Sequence, residues 1–138
     1  MRNLCWTIII TCLSIQTFAQ QANMTGIWTG KLELPNSLEL TIVFNLSKDD
    51  SGTYTSTLDS PDQGAMGIPT ESTMINGDSI LIKIPVVQGF YSGKIFYDEM
   101  KIDGKWTQGG MSLDLTVKNA HVCPAVYEIV EGIKRRFV

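Results

Sequence analysis

The stretch Leu38-Glu39-Leu40-Thr41-Ile42-Val43-Phe44-Asn45-Leu46 decides the fold class of this chain. Apolar residues occupy every second position, and most of the positions between them are polar. Successive side chains of a β-strand point to opposite faces, so a period of two predicts a strand with one buried face. We therefore expect residues 38–46 to form a half-buried strand.

Similar strand signals fill the chain on both sides of this stretch. Pro35-Asn36-Ser37 and Gly52 mark turns around it, and Asn76-Gly77-Asp78 is a strong hairpin signal. Pro85 ends one strand because proline cannot donate a ladder hydrogen bond. The other predicted strands are 26–34, 53–58, 70–75, 79–84, 90–97, 100–108 and 111–118.

The short connections between these strands determine the predicted architecture. They leave no room for crossover helices, so the strands pair antiparallel. Closing the sheet removes its exposed edges. We therefore predict an all-β fold: an antiparallel up-and-down barrel or strongly curved meander of about eight strands, lipocalin-like, within a domain spanning residues 20–120.

Two segments are expected to interrupt the regular strands, residues 58–69 (LDSPDQGAMGIP) and 104–111 (GKWTQGGM). Their Asp and Ser side chains favour turns by bonding nearby backbone N–H groups. Each segment also has a glutamine followed by glycine, which offers amide hydrogen bonds and close backbone approach. The segments either form a polar recognition rim at one end of the barrel or hydrogen-bond each other to close that end. The candidate contact residues are Asp59, Asp62, Gln63 and Gln108.

Aromatic residues provide a second set of candidates. Gly26-Ile27-Trp28-Thr29 and Gly104-Lys105-Trp106-Thr107 repeat one pattern, which places two indoles on the first and penultimate strands. They are either ordinary core residues or part of a binding site for a small apolar ligand inside the barrel. The residues that would surround such a ligand are Trp28, Trp106, Phe90 and Tyr91.

The N-terminus has the pattern of a secretory signal peptide. Arg2 precedes an apolar run from Leu4 to Ile15, and Thr17-Phe18-Ala19 supplies small residues at a cleavage site. The run is shorter than the roughly 20 residues that cross a bilayer. We expect cleavage after Ala19, no membrane span in the remaining chain, and a secreted or periplasmic protein. A membrane anchor or a lipoprotein modified at Cys12 are the alternatives.

The C-terminal tail, residues 121–138, has a different pattern. Its apolar residues recur at three- and four-residue steps after Pro124, which is typical of a short amphipathic helix. If the signal peptide is removed, Cys123 is the one cysteine left, so no intramolecular disulfide is expected. The helix would cap the barrel or dock on a partner.

Charge and motif content argue against several function classes. The formal net charge is −3, and the sequence has no nucleic-acid-binding pattern. The nearest string to a nucleophile elbow, Gly89-Phe90-Tyr91-Ser92-Gly93, has its serine one position late, and His121 is the one histidine. No His, Cys or carboxylate cluster has zinc spacing, and Asp59 with Asp62 lacks further calcium ligands. We expect no catalytic residue, metal or cofactor.

The two interrupting segments, together with Trp28-Thr29-Gly30 and Tyr91-Ser92-Gly93, resemble the N-terminal β-domain of secreted bacterial α/β-hydrolases of the serine aminopeptidase or esterase type. The similarity runs from about Gly26 to Lys118. In that family the serine, acid and histidine lie in the following catalytic domain, so none is carried over to this chain. The resemblance implies a non-catalytic accessory module whose partner is a hydrolase catalytic domain or another protein.

Three functional hypotheses therefore stand after the sequence. The first is the accessory interaction module implied by the resemblance. The second is a small barrel that binds an apolar ligand. The third is the remnant of a truncated secreted esterase or peptidase, or an esterase in its own right, which the absence of a base near any serine disfavours.

Overall fold

The structure, a computed structural model, describes residues 22–121 and contains nine β-strands and three short 3₁₀ turns in that part. The predicted signal peptide, Cys123 and the predicted helix of the tail lie outside the described residues. The turns are Pro61–Gln63, Pro85–Val87 and Tyr97–Glu99. The strands are β1 (Gly26–Glu33), β2 (Glu39–Lys48), β3 (Tyr54–Ser60), β4 (Ala65–Pro69), β5 (Ser72–Asn76), β6 (Ser79–Ile84), β7 (Gly89–Phe96), β8 (Lys101–Gln108) and β9 (Met111–Asn119).

All of these strands belong to one strongly curled antiparallel sheet, in the order β4-β3-β2-β1-β9-β8-β7-β6-β5. Strands that follow each other in the chain pair, except β4 with β5, and the first and last strands also pair, at Trp28↔Asn119 and Thr29↔Lys118. The remaining edges belong to β4 and β5, which follow each other in the chain. The predicted all-β, barrel-like fold class is confirmed.

The expectation that residues 58–69 are irregular was wrong for most of that segment. β3 continues to Ser60, and β4 pairs back onto it through Leu58↔Ile68 and Ser60↔Ala65. The turn itself covers Pro61–Gln63 and ends at Gly64, which has a positive φ of 66°. Pro69 is tolerated in β4 because the strand lies at an edge of the sheet.

The two edges of the sheet meet where β4 passes into β5. Thr70 donates its N–H to the Ser56 carbonyl of β3 (3.3 Å), and Glu71 donates its N–H to the Lys83 carbonyl of β6 (2.8 Å). The hydroxyls of Ser56 and Thr73, both buried, are 2.6 Å apart and join β3 to β5. We call this junction the seam. It closes the curl with side-chain hydroxyls where a strand ladder is lacking.

Strand β2 begins one residue later than predicted, and its first inward-facing residue is Leu40, not Leu38. Leu38 lies before β2, is 58% exposed, and accepts the Leu34 N–H in the turn (2.8 Å). Ser37 in this turn has a positive φ of 62°. From Leu40 onwards the even-numbered residues face the interior as predicted, and Ile42, Phe44 and Leu46 are buried. Thr41 and Val43 are buried as well, so the expectation of a single buried face was wrong for this part of the strand.

The interior is filled unevenly along the barrel. Trp28 and Tyr91 are fully buried, and the Tyr91 ring lies 5.1 Å from the Phe44 ring. The Trp28 indole donates to the Met24 carbonyl (2.9 Å), which anchors the chain before β1. Met24 and Trp28 fill the end at which β1 begins, and the Tyr91 ring extends across Gly104 into the middle of the barrel. We call the opposite end, formed by residues 34–38, 61–64, 85–88 and 109–110, the mouth.

Candidate functional site

A cavity of about 420 Å³ opens at the mouth. Its wall comes from the ends of β1, β3 and β8, the starts of β2, β4 and β9, and the adjoining turns. The inward-facing alternation of these strands explains why most of the wall is aliphatic. The lining residues are Leu32, Leu34, Leu40, Ile42, Leu58, Ser60, Gln63, Ala65, Ile68, Val87, Trp106, Gln108, Gly109, Met111 and Leu113.

Among the described residues of this wall the polar side chains are Ser60, Gln63 and Gln108, and none of these lining residues carries an ionisable side chain. Gln63 follows the end of β3, and Gln108 ends β8. The two glutamines therefore bring the two interrupting segments of the sequence to one site. No hydrogen bond joins the two segments to each other among the described residues, so the cavity separates them.

Gln108 is held in a fixed orientation by both ends of its amide. Its Oε1 accepts the Trp106 indole N–H (3.1 Å), and its Nε2 donates to the Val87 carbonyl (2.8 Å). The indole has a donor but no acceptor, and the carbonyl has the reverse, so only one placement of the amide satisfies both. The Nε2 group retains a second hydrogen for another partner.

The Gln63 side chain makes one hydrogen bond to the described residues, in which its Oε1 accepts from the Ser60 hydroxyl (2.8 Å). In residues 22–121 no acceptor is hydrogen-bonded to the Gln63 Nε2 group. The side chain is exposed, whereas Ser60 is buried. Gln63 thus presents an amide donor at the mouth from an anchored position.

Asp62 and Asp59 bond to the backbone of the barrel. The Asp62 carboxylate accepts the Thr41 N–H (2.5 Å), which continues the β2 ladder beyond the last β3 residue. This hydrogen bond, together with one from the Thr41 hydroxyl and a smaller effect of the Lys31 charge, holds the Asp62 pKa below its usual value. Buried Asp59 accepts from the Gly67 N–H (2.6 Å) and the Asn45 amide (2.9 Å). Both carboxylates therefore shape the mouth, and neither lines the cavity.

The four aromatic candidates are divided between the core, the cavity and the surface. Trp106 lines the cavity and is 5% exposed. Trp28 and Tyr91 lie deeper and do not contribute to the wall, while Phe90 is 40% exposed on β7. The Tyr91 hydroxyl is within hydrogen-bonding distance of the Leu115 (3.0 Å) and Ile102 (3.2 Å) carbonyls. Burial, with a smaller effect of Asp103, raises the Tyr91 pKa well above its usual value.

Sequence reasoning missed most of the cavity wall. Leu40 and Ile42 were predicted to face the interior, which is correct, whereas Ala65 and Ile68 were placed in an irregular segment. The alternation of apolar and polar residues along a strand does not show that the side chains nearest the mouth of the barrel leave space between them. The available signal was the position of Leu34, Leu40, Met111 and Leu113 next to turns, where strand ends converge in a closed sheet.

The described residues contain neither a metal-binding cluster nor a membrane-spanning helix. No group of three or more His, Cys, Asp or Glu side chains within residues 22–121 could hold a metal ion. Over that range no helix is long and apolar enough to cross a membrane. His121 lies beyond β9, where its N–H donates to the Asn119 side chain (2.9 Å).

No protein-family model, no curated protein and no solved structure matches this chain. The resemblance to hydrolase N-terminal domains therefore stays a prediction, and the geometry of the mouth is the basis for a functional proposal.

Proposed function

We propose that this protein binds a small apolar ligand in the cavity at the mouth. The observation that carries the proposal is the cavity itself, at about 420 Å³ with a largely aliphatic wall. Ligand sites in proteins are typically concave, apolar and about 300 to 1,000 Å³ in volume, with a few placed polar groups. The mouth combines all three properties. Burying an apolar ligand there removes its surface from water at about 25 cal/mol per Å².

Hydrogen bonds within the chain hold parts of the wall in place, which lowers the cost of binding. Gln108 is fixed by two hydrogen bonds. The turn Pro61–Gln63 is fixed by the Asp62 contact with β2. The ligand therefore needs to order few side chains as it enters.

The proposal can be tested with 1-decanol and the full chain by isothermal titration calorimetry, with tryptophan fluorescence as a second readout. We expect saturable binding and a change in emission, because Trp106 lines the cavity and Trp28 lies outside it. Trp106→Phe is the control for the optical signal. Absence of saturable heat with 1-decanol and with the matched decyl probes described below would contradict the proposal.

A filled-cavity variant sharpens this test. Ala65→Phe places a ring in the cavity wall, and we expect it to weaken 1-decanol binding at least about tenfold through steric exclusion. Met74→Phe is the matched control, because Met74 is 48% exposed on β5 and does not line the cavity. Equal binding by the two variants would place the ligand elsewhere.

As a second candidate, we propose the accessory interaction module implied by the resemblance, with the mouth as its contact surface. The supporting observation is the exposure of Leu38 (58%) and Val86 (69%), both in turns of the mouth. Native mass spectrometry of the protein from its own source would reveal a bound protein. We expect the double variant Leu38→Ser/Val86→Ser to lose the bound protein and the control variant Met74→Ser to retain it. If the unmodified protein shows only the mass of its own chain, this candidate is contradicted.

A further inference from the structure

We propose that the cavity selects an uncharged amphiphile of medium chain length, an alcohol or a primary amide, whose polar group lies at the mouth between Gln63 and Gln108. This inference rests on the proposed ligand-binding function and specifies its ligand class. Three parts of the site's chemistry support it, namely the absence of charge in the described part of the wall, the free hydrogen-bonding capacity of the two amides, and the volume.

The first part is charge. Within residues 22–121 no cavity-lining residue carries an ionisable side chain, so a charged ligand group would have no counter-ion in this part of the wall. Moving an unpaired ion out of water costs several kcal/mol, far more than a hydrogen-bonded neutral group. The Asp62 carboxylate is next to Gln63 in the chain and disfavours an anion further. The nearby cation, Lys31, is 2.7 Å from the Thr41 hydroxyl, to which it donates.

The second part is hydrogen bonding. The Gln63 Nε2 group has no acceptor among residues 22–121, and the Gln108 Nε2 group uses one of its two hydrogens on the Val87 carbonyl. Each amide oxygen accepts one hydrogen bond and has a second lone pair. The mouth can therefore donate to a ligand oxygen and accept from a ligand O–H or N–H. A hydroxyl or a primary amide satisfies both requirements.

The third part is size. A water molecule, which has one non-hydrogen atom, occupies about 30 Å³ in the liquid. At that volume per atom, a cavity of about 420 Å³ accommodates about 14 non-hydrogen atoms. A decyl chain with a small polar group is within this limit. The aliphatic residues Ile42 and Leu58 lie on the interior side of the wall, and the glutamines lie at the mouth, which orients the ligand with its chain inward.

The decisive experiment compares 1-decanol, decanamide, decanoate and decyltrimethylammonium by calorimetry on the full chain at pH 8. These probes share one chain and differ in the charge of the polar group. We expect the alcohol and the amide to bind at least about tenfold tighter than either ion. Decanoate or the ammonium binding as tightly as the alcohol would overturn this inference and leave the proposed function standing. No binding by any of the four would overturn the proposed function itself.

A charge-introducing variant tests the location of the polar group. Gln63→Lys places a cation at the mouth, where Gln63 is exposed and makes one hydrogen bond, so the fold is expected to persist. We expect decanoate to bind at least about tenfold tighter than to the unmodified protein. Thr55→Lys is the control, because it adds the same charge at an exposed position of β3 outside the cavity. An equal gain in both variants, or none in Gln63→Lys, contradicts the assignment of the polar group to the mouth.

Discussion

At the scale of single residues, Tyr91 and Gly104 determine how the interior of the barrel is filled. The Tyr91 ring crosses β8 at Gly104, and its hydroxyl reaches the Leu115 carbonyl of β9. A Cβ at position 104 would lie 2.5 Å from the Ser92 carbonyl oxygen and 2.7 Å from the Tyr91 Cζ atom. The missing side chain of Gly104 is therefore the space that the tyrosine occupies.

We predict that Gly104→Ala lowers the free energy of unfolding by about 2 kcal/mol or more, because the new methyl group overpacks the core. Urea unfolding followed by circular dichroism measures the change. The control is Lys105→Ala, which removes an exposed contact with Asp114 (2.6 Å) and is expected to cost less than about 1 kcal/mol. An equal loss in both variants would show that Tyr91 does not need this space.

At the scale of secondary-structure elements, the turn Pro61–Gln63 and the seam replace ladder hydrogen bonds with side-chain ones. Asp62 continues the β2 ladder where β3 has ended, and Ser56 with Thr73 joins β3 to β5 where the two strands do not form a ladder. Both devices lie where the sheet would otherwise have an open edge. Asp62 was predicted as a turn former and Ser56 and Thr73 as strand residues, whereas their long-range partners were not predicted.

We predict that Asp62→Asn destabilises the protein by about 1 kcal/mol at pH 7 and by nothing measurable near pH 2. The folded-state pKa of Asp62 is lowered, so its stabilisation is complete above the unfolded value of about 3.9 and is lost as the pH falls through the folded value. Asparagine resembles the protonated carboxyl group. Urea unfolding at both pH values measures the difference, with Asp50→Asn as control; a difference that persists in acid would contradict the assignment.

We predict that Ser56→Ala costs about 1 to 2 kcal/mol, because the buried Thr73 hydroxyl loses its 2.6 Å partner. Hydrogen exchange at the amides of Thr70 and Glu71 is expected to become faster, since these amides bridge the two sheet edges. Thr55→Ala, an exposed change on the same strand, is the control and is expected to stay within about 0.5 kcal/mol. Unchanged exchange at the seam would show that the hydroxyls do not hold it.

At the scale of the whole molecule, the barrel is filled at one end and open at the other. Trp28, Phe44 and Tyr91 fill the interior from the end at which β1 begins to the middle, whereas mostly aliphatic side chains line the mouth and leave about 420 Å³. A small barrel of this strand number has an interior that side chains either fill or share with one small ligand. In this protein one part of the interior is filled by side chains, and the part at the mouth has space for a ligand.

We predict that 1-decanol at about 100 times its dissociation constant raises the free energy of unfolding by about 2.7 kcal/mol, because a ligand that binds only the folded state stabilises it by mass action. Urea unfolding with and without the alcohol measures the gain. Ala65→Phe is expected to gain no more than about 1.4 kcal/mol at the same alcohol concentration, because a tenfold weaker affinity leaves the alcohol at about 10 times the dissociation constant. A gain of equal size in that variant would mean that the alcohol acts outside the cavity.

The sequence by itself determined the local part of this structure. Period-two alternation, the Asn76-Gly77-Asp78 and Gly109-Gly110 turns, and the short connections were sufficient for an antiparallel, curled all-β fold, because they depend on backbone geometry and near neighbours. The strand β4 escaped prediction, because two prolines and two glycines obscured its pairing with β3.

Only the tertiary structure decided where the candidate site lies. Gln63 and Gln108 are far apart in the chain, and they come to one cavity because β3 and β8 end at the same end of the barrel. Likewise, the alternation that directs Leu58 and Leu113 inward does not fix how well side chains from different strands fill the space between them. That volume depends on the curl of the whole sheet, which is a property of all nine strands together.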